Sequence, residues 1–148
     1  MSLRIEHILS ILLMLSLFEL GCDEQAMNER GISIIGCVTD SLTNKPIPNA
    51  KVTLLCWYYA GWDKTDYVSI DTITDKNGCF SATLEKGYKA YVACVAPNYY
   101  PTLKSSDKVH SKPVEISLKL KRKANAETGL NLLPDINLRY YIVENSDN

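Results

Sequence analysis

From Gly31 to Lys123 this chain is a series of short stretches in which every second residue is apolar, each closed by residues that turn the backbone. Successive side chains of an extended strand point to opposite faces, so this alternation builds half-buried strands rather than helices. Residues 32–38 (ISIIGCV) place Ile32, Ile34 and Val38 on one face. Residues 40–49 (DSLTNKPIPN) then concentrate Asp, Ser, Asn and Pro, each with its own backbone reason to turn. A second stretch sets Val52, Leu54 and Cys56 on one face, and a third carries Val68, Ile70 and Ile73. Residues 75–78 (DKNG) are a tight turn in which Gly78 takes positive φ without steric cost. Phe80, Ala82 and Leu84 alternate after it, and residues 85–87 (EKG) turn again. Ala90, Val92, Cys94 and Ala96 form the next inward set, ended by Pro97. Val114, Ile116, Leu118 and Leu120 mark a last clear strand. This pattern predicts an all-β fold, an antiparallel sandwich of about seven strands.

Ahead of this region lies an apolar run, residues 8–18 (ILSILLMLSLF), followed by Glu19-Leu20-Gly21-Cys22. The run is too short for a membrane span, which needs about 20 apolar residues, and reads as the core of a secretory signal. Its Leu-Gly-Cys ending resembles the lipobox of bacterial lipoproteins, with Glu19 where that pattern has an aliphatic residue. The resemblance implies acylation at Cys22, a membrane anchor, and residence at the outer membrane or cell surface, with a periplasm-facing placement as the alternative. Asp23-Glu24 resembles the short acidic export signal of surface lipoproteins in Bacteroidetes-type bacteria. The expected organisation is a signal peptide over residues 1–21, a tether over 22–30, the sandwich over 31–123 and a tail over 124–148. Within that tail, residues 136–143 (INLRYYIV) offer one extra edge strand; as an alternative to a binding or scaffold module, the tail over residues 130–143 would pair with another chain by strand addition, in a structural or adhesive subunit.

Removing residues 1–21 takes away Arg4, Glu6 and Glu19 and leaves the charges balanced. Such a surface gives no footing for nucleic acid. The basic run at residues 119–123 (KLKRK) reads as a solvated strand end. Besides Cys22 there are Cys37, Cys56, Cys79 and Cys94, an even set that suits disulfides in an exported chain. No Cys-x-x-Cys pair occurs and His110 is the lone histidine after the leader, so a zinc site is not expected.

The turns and strands together resemble the carboxypeptidase regulatory-like domain, a transthyretin-like (prealbumin-like) β-sandwich. The matching residues are Ile34-x-Gly36-x-Val38-x-Asp40, Lys45-Pro46-Ile47-Pro48-Asn49-Ala50-Lys51-Val52, Thr74-Asp75-Lys76-Asn77-Gly78-x-Phe80, Gly87-Tyr88 and Ala96-Pro97-Asn98-Tyr99. Asn98 stands where the family has Gly, and Asn also tolerates left-handed φ. In the resembled fold the first strand lies beside the fourth and the second beside the fifth. That arrangement implies disulfides Cys37–Cys79, on outward faces, and Cys56–Cys94, on inward faces. The family implies no catalysis, because such domains are accessory modules with many partners. Gly36 is expected to relieve crowding where two backbones approach.

No catalytic constellation is expected either. A Ser-His-Asp arrangement has only His110 to serve as base, in residues 105–111 (SSDKVHS), and the histidine set of the related 5-hydroxyisourate hydrolases is missing. Asp75-x-Asn77-Gly78 lacks the further ligands of a calcium loop and reads as a turn. The chain is therefore expected to be no enzyme and to need no cofactor. The feature least explained by scaffolding is the aromatic segment Trp57-Tyr58-Tyr59-Ala60-Gly61-Trp62 with Tyr67 beyond it. Exposed Trp and Tyr join large apolar area to a polar handle, as binding sites do. Trp57, Tyr58, Tyr59, Trp62 and Tyr67 are thus candidates for contact with a protein or glycan partner.

Overall fold

The computed structural model describes residues 28–61, 63–106, 109, 113–124 and 137–145. Cys22, Trp62 and His110, with the leader and most of the expected tail, lie outside the described residues. Eight strands and a short helix follow in chain order: β1 (Glu29–Asp40), β2 (Lys51–Gly61), β3 (Lys64–Ile73), β4 (Cys79–Gly87), β5 (Lys89–Val95), β6 (Thr102–Ser106), β7 (Val114–Glu115), β8 (Leu118–Leu120) and α1 (Leu138–Asn145). One sheet runs β4-β1-β7, with β8 also on β1; the other runs β3-β2-β5-β6. The fold is an all-β sandwich.

Alternation places the core as the sequence predicts. Ile32, Ile34, Val38, Val52, Leu54, Cys56, Phe80, Leu84, Val92, Cys94, Leu118 and Leu120 are buried between the sheets. Gly36 lies where the chain after β7 crosses β1: Ile116 N–H donates to the Ile35 carbonyl at 2.9 Å. A Cβ on Gly36 would collide with the Ile116 carbonyl and with the Phe80 ring. This crossing splits the expected last strand into β7 and β8. Both run parallel to β1. The chain reaches them from β6 in the other sheet, so it enters at the end where β1 begins and must travel in the same direction.

The turns follow local chemistry. Asp75 accepts hydrogen bonds from the Asn77 and Cys79 amides at its Oδ1, each 2.8 Å. Gly78 takes φ 73° and Asn98 takes φ 66°. Buried Thr74 joins loop to strand, its hydroxyl donating to the Ile47 carbonyl and accepting from the Ala50 amide. Cys37 faces Cys79 in the antiparallel register of β1 and β4, and the two are joined by a disulfide.

The structure corrects two expectations. Cys56 and Cys94 are buried free thiols. They share the inward face of neighbouring strands, but Cys94 lies opposite Val52 and Cys56 opposite Ala90. That offset along the strands is about 13 Å, beyond the reach of a disulfide. Burial pushes both thiols up to about 12, with the Lys89 amide pulling weakly the other way on Cys56.

The second correction concerns the tail, where residues 138–145 form α1 and not an edge strand. Asn137 caps it, accepting from the Arg139 and Tyr140 amides at 3.2 and 3.3 Å. Leu138 and Ile142, one helical turn apart, pack on Leu55, Tyr91, Ala93 and Val95. These lie on the outer face of the second sheet, so β2 and β5 are buried on both sides. No described helix is long and apolar enough to cross a membrane.

Candidate functional site

The aromatic segment forms the end of the β2–β3 hairpin, beside the start of β1 and the β4–β5 link. Strand alternation sorts its rings onto two faces. Trp57 and Tyr59 point to the outer face with Leu55, whereas Tyr58 continues the inner row of Leu54 and Cys56. Trp57 lies opposite Tyr67 in the register, and their rings meet edge to face at 5.5 Å between centroids. Tyr59 stacks on Tyr88, from the link, with centroids 4.4 Å apart and planes 18° from parallel. The Tyr88 amide donates to the Trp57 carbonyl at 2.8 Å, which fixes the link against the hairpin.

Tyr58 has separate company. Its hydroxyl donates to Asp66 Oδ2 at 3.2 Å, and Lys86 Nζ sits 3.8 Å above its ring. Desolvation first, then the Asp66 carboxylate, raise the pKa of the Tyr58 hydroxyl. Desolvation and neighbouring Tyr59 do the same for Tyr88. These phenols stay protonated at neutral pH and act as hydrogen-bond donors and apolar surface.

The site is therefore a ledge of rings, partly open to solvent: Tyr59 is 36% and Tyr67 39% exposed, while Trp57 is half-buried against the α1 cluster. Of the candidate partner contacts, Trp57, Tyr59 and Tyr67 lie on one face of the hairpin and Tyr58 on the other. Sequence reasoning missed Tyr88 and Asn28. Tyr88 belongs to the Gly87-Tyr88 motif, which by itself names no ring partner, and Asn28 falls within the expected tether. Asn28 instead clamps the hairpin, its amide donating to the Tyr59 carbonyl and its oxygen accepting from the Tyr59 amide, both at 2.9 Å. β1 accordingly begins at Glu29, before the expected boundary at Gly31.

At the opposite end lies the most polar buried cluster. Asp40, 3% exposed, accepts from the Leu42 and Thr43 amides and from the Tyr99 hydroxyl, each at 2.9 Å. Arg122 approaches the same carboxylate at 3.5 Å and donates to the Tyr99 oxygen at 3.2 Å. These contacts hold the loops together. Among the described residues, no group of three or more His, Cys, Asp or Glu side chains is placed to hold a metal ion.

No family model matches the chain, and no curated protein matches it. Solved structures similar to it include wild-type catechol 1,2-dioxygenase from Acinetobacter radioresistens, with TM-score 0.49 and 14% identity over 70% of this chain. A streptococcal ancillary pilin is similar with TM-score 0.43 and 16% identity over 65% of this chain. The chain spans 55% of that dioxygenase and 30% of that pilin. At these identities the likeness concerns the fold, that of β-sandwich proteins. It also corrects the expectation that the chain is no enzyme: catechol 1,2-dioxygenases are enzymes, so that exclusion is withdrawn.

Proposed function

We propose that this chain is an exported, lipid-anchored module of the carboxypeptidase regulatory-like kind, working at the cell envelope as a binding or scaffold domain. The observation that carries the reading is the Cys37–Cys79 disulfide across β1 and β4, in a chain that also has a short apolar run ending in Leu20-Gly21-Cys22. A disulfide of this kind suits an oxidising compartment outside the cytoplasm. The pairing of β1 with β4 and of β2 with β5 supports the domain type. The aromatic ledge of the β2–β3 hairpin is the surface through which such a module binds. Self-assembly by strand addition through residues 138–143 does not fit, because α1 packs that segment on its own sheet.

Metabolic labelling with an alkyne fatty acid tests the anchor. The wild type should carry the label in the membrane fraction, and Cys22→Ala should lose it. Label that persists in Cys22→Ala, or a wild type without label, overturns the reading.

A further inference from the structure

We infer that the aromatic ledge of the β2–β3 hairpin docks on the bilayer interface beside the lipid anchor, so that the sandwich stands with its hairpin end down. This rests on acylation at Cys22, and it names the ligand of the surface just described. The argument begins with Asn28. Its side chain holds both backbone polar groups of Tyr59, which ties the start of the folded domain to the tip of the hairpin. From Cys22 to Asn28 a fully extended chain reaches at most about 20 Å. An acyl chain on Cys22 would therefore keep the hairpin end near the headgroups. The opposite end, where Asp40 and Tyr99 meet, lies about 30 Å further along the strands.

The side chains at the near end suit that location. Tyr59 and Tyr67 are exposed, and Trp57 and Tyr88 complete the ledge behind them. Trp and Tyr prefer the membrane–water interface, where the ring is desolvated while its polar atom remains wet. Lys64, Lys86 and Lys89 at this end are matched by Asp63, Asp66 and Glu85. Docking is thus carried by aromatic partition and not by net charge, and zwitterionic lipid suffices.

Trp57 belongs to this end of the fold, so its fluorescence reports on it. The full-length acylated protein is reconstituted into phosphatidylcholine vesicles carrying a doxyl label shallow in the acyl chain. Trp emission should fall about twofold against unlabelled vesicles, and iodide in the buffer should quench weakly. Trp62→Phe assigns the signal to Trp57. Tyr59→Ser with Tyr67→Ser should restore emission; the variant loses two ring contacts and some stability with them, so its circular dichroism is read at the assay temperature to show that it is folded. A reporter at the far end, Leu42→Trp in a Trp57→Phe/Trp62→Phe background, should escape the lipid quencher and meet iodide freely. The fatty-acid label is read on the same sample. Absence of label overturns the anchor reading. Label present with tryptophans open to iodide and untouched by the doxyl lipid overturns docking alone, and points to a soluble protein or glycan as occupant.

Discussion

The Tyr99 hydroxyl donates to Asp40 Oδ2 at 2.9 Å, joining residues 59 positions apart in the chain. Asp40 ends β1, and Tyr99 lies in the loop between β5 and β6. The contact therefore ties one sheet to the other at the end away from the hairpin. Arg122, just past β8, reaches both partners. Two of the family-like motifs, Val-x-Asp40 and Ala-Pro-Asn-Tyr99, meet in this bond. Their shared presence in the sequence has a structural reason: each completes the other.

Removing the hydroxyl leaves a buried carboxylate oxygen with one donor fewer. Tyr99→Phe should lower the melting temperature by roughly 5 °C, at little loss of apolar contact. The pH dependence follows from the carboxyl itself, which is lowered from 3.8 to about 2 by the Thr43 and Leu42 amides and then by Tyr99. A depressed carboxyl stabilises the fold above its unfolded pKa, and that contribution is lost as pH falls through the folded value. Urea unfolding of wild type and Asp40→Asn should therefore differ most at neutral pH. The gap should close between about pH 4 and pH 2. A gap that does not change with pH would show that folding leaves the Asp40 carboxyl at its unfolded pKa.

The thiols give a second expectation. Non-reducing peptide mapping should find Cys37 linked to Cys79, with Cys56 and Cys94 reduced. Both free thiols are fully buried and held protonated well above neutral pH. In the folded protein a maleimide should modify neither, since the thiolate is the reactive form and access is closed. In denaturant both should react within minutes. Rapid labelling of the native protein would mean that the sheets part far more readily than their packing implies.

Helix α1 is the outer cover of the second sheet, and Leu138 and Ile142 are its buried contacts. Ile142→Ala should cost about 2–5 kcal/mol if α1 unfolds with the sandwich as one unit. If α1 instead detaches locally, the sandwich keeps its melting temperature while dye binding reports the bared Leu55, Tyr91 and Val95. By contrast, Arg139→Ala breaks a surface ion pair with Asp71, at 2.9 Å. Both side chains are half exposed, so the loss should stay below about 1 kcal/mol.

What could be read from the residues depended on whether the cause was local. Strand faces, the Asp75–Gly78 turn and the role of Gly36 all rest on alternation, φ or the absence of a Cβ, and they were legible. The pairing of Cys37 with Cys79 followed from strand neighbours implied by the resemblance. The thiols of Cys56 and Cys94 needed the register as well, which the face alone does not supply. Residues 138–143 (LRYYIV) are rich in β-formers, and only packing on the second sheet makes them helical. One signal of that cover was present: residues 52–56 (VTLLC) and 90–96 (AYVACVA) are almost continuously apolar, as strands buried on both faces are. The short β6 (TLKSS) is mostly polar and carries little alternation, so it escaped notice. The ring partners of the hairpin split by parity, Trp57 and Tyr59 against Tyr58, and that count was available from the strand alone.

The last expectation separates two glycines of β1. At Gly36 the backbone has an ordinary φ, yet an added Cβ would run into the Ile116 carbonyl and the Phe80 ring. Relief would require moving β7 and β8 off β1, where the Ile116 amide is bonded to Ile35. Gly36→Ala should therefore cost about 3 kcal/mol or more, at the upper end of overpacking. Gly31 has φ +63° and nothing within 4 Å of an added Cβ. Its replacement meets only the backbone penalty for left-handed φ, roughly 1–2 kcal/mol. Parallel denaturant titrations of Gly36→Ala and Gly31→Ala decide the matter, and comparable midpoints would show that the chain after β7 does not cross β1 so closely. Gly31 would then tolerate Asn better than Ala, because Asn accepts the left-handed conformation, while Gly36→Asn should fail to fold. The ranking Gly31→Asn, Gly31→Ala, Gly36→Ala, Gly36→Asn in falling stability is the full expectation, and it distinguishes a steric requirement from a conformational one.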